Sequence, residues 1–244
     1  MELTQSQINE FNENGFLIIK DFAKEELCNN ILEKAKSHLE RKQAPIESEQ
    51  EYMQLDDENI TVRRLRQVYD REEVFKEWMT SDDIRPILKQ VLNDTPVLTL
   101  AHHNSIMTKL AHESTRTFWH QDRRYWNFEN DNLVSVWLSL GDEYLENGLL
   151  EFIPKSHKLT FSKDRFDEDS NFLDSNKENQ ELIKTRTSSN LKKGDVVLFH
   201  CKTLHHASKN ASNEAKISFV YTVRAKSNAP IKNTRSDYKE VILD

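Results

Sequence analysis

The chain predicts one mainly β domain with flanking helices, and three features carry that expectation. Up to about residue 95 the apolar residues fall largely at helical spacing. After Pro96 they gather in short runs rich in β-branched and aromatic residues. No internal repeat divides the 244 residues. The expected organisation is a single domain over 1–244, with a helical part over about 1–95 and a β core over about 96–228.

Taken in order, Thr4 and Gln7 form a capping box ahead of a helix over 4–14, with Ile8 and Phe11 on one face. Gly15 ends it, and Phe16-Leu17-Ile18-Ile19 reads as a buried strand. Leu27, Ile31, Leu32, Ala35 and Leu39 mark an amphipathic helix from Lys24 to about Arg41. Residues 43–61 are polar and acidic and read as a surface loop. A third helix is expected from Asp82, as its cap, to Leu92.

Strands are expected at 97–103, 105–110, 133–140, 149–153, 196–200 and 216–223. Val134, Val136, Leu138 and Leu140 alternate with Ser135, Trp137 and Ser139. Likewise Ile217, Phe219, Tyr221 and Val223 oppose Lys216, Ser218, Val220, Thr222 and Arg224. A sandwich or barrel with its apolar faces outward under helices, around a polar lumen, gives this pattern. The irregular 160–190 segment reads as a loop or short-helix insertion, with Phe172 and Leu173 able to anchor it as a lid.

Composition excludes several classes. A net charge of −7 argues against a nucleic-acid partner. No apolar run approaches the roughly 20 residues of a membrane span. Only four glycines occur, too few to build a phosphate loop or a dinucleotide fingerprint. Cys28 and Cys201 match no zinc spacing, and MELTQSQINEF has no secretory pattern, so a cytoplasmic protein is expected.

The chemistry concentrates around residue 120. On an extended strand residues i and i+2 share a face, so His120 and Asp122 can offer an imidazole and a carboxylate to one ion. A third ligand would leave three adjacent positions open, as an O₂-activating Fe(II) site needs. Candidates for it lie in 194–208, where His205 and His206 point to opposite faces and His200 competes.

Several ordered stretches then resemble the phytanoyl-CoA dioxygenase family of Fe(II)/2-oxoglutarate oxygenases. They are the Phe16–Phe22 opening, Lys109 followed by Trp119-His120-Gln121-Asp122, and Trp137-Leu138-Ser139-Leu140. Glu146-Asn147-Gly148, Ile153-Pro154-Lys155-Ser156-His157-Lys158, and Gly194-Asp195 through His205, with Asn210 and Ser212 beyond, complete the set. Only 43–95 and 160–190 match weakly. The resemblance implies a double-stranded β-helix (jelly-roll, cupin-like) core and an iron site of His120, Asp122 and His205. It implies hydroxylation of a small-molecule or acyl substrate, with 2-oxoglutarate and O₂ consumed and succinate and CO₂ released. Lys109, Gln121 and Trp137 are implied in the co-substrate pocket, and the carboxylate at 122 favours hydroxylation over halogenation.

Two positions depart from the family pattern. Lys216 stands where an arginine usually pairs with the far carboxylate of 2-oxoglutarate, and lysine lacks the bidentate fork. Arg224 is the other candidate on that face. Ala207 replaces a common serine, and Ser208 should face the other way. These departures leave two alternatives: a cupin-like metalloenzyme that uses no 2-oxoglutarate, and a non-catalytic jelly-roll binding protein.

Other residues read as follows. Arg123, Arg124, Tyr125 and Trp126 form either a wall toward an anionic substrate or a solvated loop. Arg63, Arg64 and Arg66 could reach the site from the N-terminal half, but read more simply as surface charges balanced by nearby acids. His38, His102, His103, His112 and His157 read as structural or exposed.

Overall fold

The computed structural model describes residues 1–54 and 60–244. Helix α1 (Gln5–Asn14) opens on the expected capping box, Thr4 Oγ1 accepting from Gln7 N and Gln7 Oε1 from Thr4 N. Gly15, at φ 83°, turns the chain into β1 (Phe16–Ile19). Helix α2 (Glu25–Glu40) buries Cys28, Ile31 and Ala35.

The acidic stretch expected as a loop departs from that reading. It forms β2 (Ile46–Ser48) and α3 (Glu49–Met53), and Glu47 and Glu49 are only 6% and 3% exposed. The cause lies in the next strand, β3 (Val62–Arg66), whose Arg64 and Arg66 bind Glu47 and whose Arg63 binds Glu49. Paired charges can be buried where single ones cannot. The 55–59 part of that expected loop lies outside the described residues.

Helix α4 (Glu73–Met79) follows, and then α5 (Arg85–Leu92), which begins at Arg85 with Pro86 in its first turn. Asp82, the expected cap, instead pairs with Arg85 at 2.6 Å.

The remaining elements are β4 (Pro96–Lys109), β5 (Thr117–His120), β6 (Leu133–Ser139), β7 (Leu150–Phe152) and α6 (Lys177–Ile183). After them come β8 (Val196–His200), β9 (His205–Ala207), β10 (Lys216–Ala225) and β11 (Glu240–Ile242). Where two strands are expected over 97–110, β4 is continuous, and a register shift against β10 between Tyr221 and Thr222 absorbs the irregularity.

Two antiparallel sheets make a jelly roll. The larger runs β1-β8-β6-β10-β4-β3-β2 with β11 on β4, and the smaller runs β5-β9-β7. Strands β1, β2 and β3 belong to the larger sheet, so the boundary near 95 does not separate helices from strands.

The alternation read in the sequence sorts the two faces. Val134, Val136, Leu138, Phe219, Tyr221 and Val223 pack under the helices, with Phe75 on Phe219 at 5.7 Å and Trp78 on Tyr221 at 6.2 Å between ring centroids. Trp137, Val197, Phe199 and Val220 face inward, against Leu150, Phe152 and Ala207 of the smaller sheet. The 160–190 insertion contains α6 and packs Phe161, Phe166 and Phe172 onto Trp119 of β5. Phe172 N donates to Trp119 O at 2.7 Å, which ties the insertion to the strand that ends in His120.

Candidate metal centre and its two cavities

Strand β5 ends at His120, Asp122 opens the next turn, and β9 begins at His205 opposite His120. One ligand atom from each residue lies within 4.8 Å of the others, and all three residues are buried. Asp122 Oδ1 sits 3.6 Å from His120 Nε2 and 3.7 Å from His205 Nε2.

The surroundings prepare these groups for a cation. His120 Nδ1 lies 2.8 Å from Phe118 O and His205 Nδ1 2.9 Å from Thr203 O. Each Nδ1 therefore donates its proton to a carbonyl and leaves the Nε2 lone pair free. Burial, reinforced by neighbouring cations, pushes His120 down to about 3, and burial lowers His205 too, so both imidazoles are neutral. Burial alone would raise the Asp122 carboxyl. The neighbouring histidines, foremost His103 with its Nε2 at 3.0 Å from Oδ1, outweigh it and hold Asp122 well below the usual range. Ser135 Oγ donates to Asp122 Oδ2 at 2.8 Å. Two neutral imidazoles and one ionised carboxylate are a fitting donor set for a divalent iron.

His206 and His200 take other roles. His206 pairs with Glu151 at 2.6 Å and stacks on Trp119, and His200 Nδ1 accepts from Lys202 N at 3.1 Å.

The three ligand residues lie at or beside the junction of two cavities. The inner one, about 60 Å³, lies between the sheets and includes Trp137, Phe199, His205, Ala207, Lys109 and Lys216 in its lining. The wider one measures about 660 Å³. Both are lined by His120, Asp122, His103, Arg63, Met107 and Thr117.

Lys216 and Lys109 are register partners on β10 and β4. Lys216 is not a free cation: Glu143 Oε2 lies 3.2 Å from its Nζ, and both side chains are buried. Trp137 Nε1 and Ser218 Oγ also donate to Glu143, at 3.0 and 2.7 Å. Lys109 Nζ donates to Thr115 O, and burial with Lys216 and Arg63 nearby pushes it down to about 6.

Two expected pocket residues fall elsewhere. Arg224 lines neither cavity: it chelates Glu240 and donates to three backbone carbonyls, because eight residues along β10 carry it away from Lys216. Gln121 also lines neither, and its Nε2 donates to Lys202 O at 2.6 Å. Ala207 lines the inner cavity, whereas Ser208 turns out to donate to Leu145 O.

Glu143 and Glu47 were not legible as site residues. The cations that hold them, Lys216 for Glu143 and Arg64 with Arg66 for Glu47, are distant in sequence.

A family model described as Phytanoyl-CoA dioxygenase (PhyH) matches residues 11–218. The mouse protein named phytanoyl-CoA dioxygenase, peroxisomal, is 25% identical over 226 residues, which is 85% of this chain and 64% of that protein. A Stutzerimonas stutzeri protein described as a probable alpha-ketoglutarate-dependent hypophosphite dioxygenase is 26% identical, over 84% of this chain and 73% of its own. Among solved structures, apo EctD from S. alaskensis superposes with a TM-score of 0.77 at 15% identity, covering 97% of this chain and 82% of that one. The epimerase SnoN, in complex with Fe3+, alpha ketoglutarate and nogalamycin RO, gives 0.76 at 17% identity, over 93% and 85%. These structures share the fold. No helix among the described residues is long and apolar enough to cross a membrane.

Proposed function

Because the chain belongs to the phytanoyl-CoA dioxygenase family, we propose that it is an Fe(II)- and 2-oxoglutarate-dependent oxygenase. Its reaction is hydroxylation of a small organic or acyl substrate, with release of succinate and CO₂. The carrying observation is the meeting of His120, Asp122 and His205 beside two cavities, one small and closed in by the sheets, one wide. Iron bound there with 2-oxoglutarate would supply the O₂ activation that oxidation of a C–H bond requires.

The chain's own residues do the remainder. His120 and His205 present neutral Nε2 atoms, and Asp122 presents a carboxylate braced by Ser135. Lys216, shared with Glu143, and Lys109, once an incoming carboxylate restores its proton, serve the far carboxylate of 2-oxoglutarate in the inner cavity, with Trp137 as a wall. The substrate takes the wider cavity, where His103 and Thr117 lie between it and the inner one. We take residues 1–244 as one catalytic domain, since strands from the N-terminal third complete the larger sheet. Two free, buried cysteines suit a reducing compartment such as the cytoplasm.

The test is anaerobic addition of Fe(II) and then 2-oxoglutarate to metal-free protein, read by the weak visible charge-transfer absorption of the chelate. A band that is lost in His205→Ala is the expected result. Bound iron with no band would overturn the reading. The Glu143–Lys216 pair and Ala207 favour one alternative, a metalloenzyme that uses no 2-oxo acid. Iron-dependent formation of succinate separates the two.

A further inference from the structure

The wider cavity has a wall that the proposed oxygen chemistry leaves without a task. Strand β3 contributes Arg63, Arg64 and Arg66, the turn after Asp122 contributes Arg124, and the segment before β11 contributes Arg235. Against these five guanidinium groups the lining offers two carboxylates, Glu47 and Asp122. Asp122 faces the metal position. Glu47 is divided among three arginines: it binds Arg64, binds Arg66 at 2.7 Å, and lies 3.7 Å from Arg63.

Arg63 is otherwise satisfied, by Glu49 at 2.9 Å and by the hydroxyls of Thr115 and Thr117. Its neighbours are less completely so, although Arg124 Nη1 donates to Asp169 O, Ser170 O and Asn171 Oδ1 and Arg66 lies 3.6 Å from Glu51. The Nε atoms of Arg64 and Arg124 are buried without a hydrogen-bond partner among the described residues. Arg235 is exposed to solvent and has neither an ion pair nor a side-chain hydrogen bond among the described residues, so its guanidinium is free for a ligand. Arg235, Arg64 and Arg66 line the same cavity, and partial burial, then the like charges of Arg64 and Arg66, push the Arg235 pKa below the usual guanidinium value. A buried donor left unpaired is costly, and a cluster of like charges is more so, unless a ligand completes it. The chain as a whole carries −7, so this concentration of positive charge is set against the general trend of the molecule.

We propose that this wall is the recognition site for an oxyanion head group on the substrate. The substrate class is thus an organic anion, with a carboxylate or phosphate held by Arg64, Arg124 and Arg235. A planar guanidinium matches either oxyanion through two parallel N–H donors. Glu47 keeps Arg64 and Arg66 in place when no anion is bound. Leu100, Met107 and Trp126 supply apolar surface for the body of the molecule, and the same cavity reaches His120 and Asp122. A C–H bond of an anchored anion can therefore be presented at the metal. The term substrate rests on the oxygenase reading above, whereas the anion site itself rests on the arginines.

The experiment uses full-length protein loaded anaerobically with Fe(II) and 2-oxoglutarate, and records the chelate absorption before any probe is added. Hexanoate, hexyl phosphate and hexan-1-ol are then titrated calorimetrically into wild type, Arg235→Gln and Arg64→Gln. At least one anion should bind about tenfold or more tightly than the alcohol, and each variant should lose about tenfold for the anion alone. Which anion binds better tells carboxylate from phosphate. Equal affinity for alcohol and anions, no binding of either anion, or anion affinity unchanged in both variants would each overturn the proposal. A missing chelate absorption is a separate result that counts against the oxygenase reading. The same titrations on metal-free protein then still test the arginine wall.

Discussion

Lys216 and Glu143 form a buried ion pair, 3.2 Å from Nζ to Oε2, at the inner cavity where a dicarboxylate would need a cation. Glu143 therefore competes with the co-substrate for Lys216. Glu143→Gln should keep an acceptor for Trp137 and Ser218 while removing the competing charge. We expect the Kd for 2-oxoglutarate to fall by about tenfold, a gain of roughly 1.4 kcal/mol. Without ligand, the same variant leaves a buried ammonium uncompensated, and stability should drop by about 3–5 kcal/mol. Calorimetry and urea unfolding with and without 2-oxoglutarate check both; looser binding would show that Glu143 aids the site.

Lys109 makes co-substrate binding depend on pH. Burial, then Lys216 and Arg63, push its ammonium down to about 6. An incoming carboxylate restores the proton, so affinity should be highest below about pH 6. It should decline as pH rises, by up to about tenfold per unit. Stability moves the other way. Between about pH 6 and the ordinary lysine value near 10 the unfolded chain holds a proton that the folded one lacks, so Lys109 favours folding more as pH rises and less as it falls. Lys109→Met should abolish the proton uptake on binding and flatten the stability curve. Titration calorimetry in buffers of different ionisation enthalpy reads the first, and unfolding at several pH values the second.

How much of this was legible in the sequence depended on whether a residue's role is local. Val136 and Phe219 declare their outward face by alternation, and His120 and Asp122 declare a shared face by a two-residue step, because strand geometry alone decides both. Glu47 and Glu143 were unreadable for the opposite reason. Each acid is buried only because cations distant in sequence meet it, Arg64 and Arg66 in one case and Lys216 in the other. Read alone, their charge signals solvent, and the 43–54 stretch was accordingly expected as a loop. Arg224 was misplaced in a similar way: the strand's period gives its face, but only the fold brings Glu240 to it.

Ser135 is the support of the metal centre most open to a clean test. Its hydroxyl donates to the Asp122 oxygen that does not face the histidines. Ser135→Ala should leave the fold intact, since it deletes one oxygen at a fully buried position, and lower Fe(II) affinity by about 10–100-fold. Asp122→Ala should abolish binding. Competition with a metallochromic chelator measures both, and an unchanged affinity in Ser135→Ala would remove the hydroxyl from the site's support.

Gly148 links backbone shape to the co-substrate pocket. Its φ of +83° is one that side chains disfavour, and an added Cβ would press on the Lys109 side chain and lie 2.6 Å from Ser208 O. The Lys109 chain can yield, but only by moving its ammonium from Thr115 O. Gly148→Ala should therefore lose about 1–2 kcal/mol of stability from the strained backbone and weaken 2-oxoglutarate binding as well. The two losses can be told apart in Gly148→Ala combined with Lys109→Met. If Gly148 acts on binding through Lys109, the double variant binds 2-oxoglutarate no worse than Lys109→Met alone, while the backbone penalty persists in urea unfolding. Additive losses in binding would instead mean that the glycine shapes the pocket by another route, through the Ser208 backbone that follows Ala207.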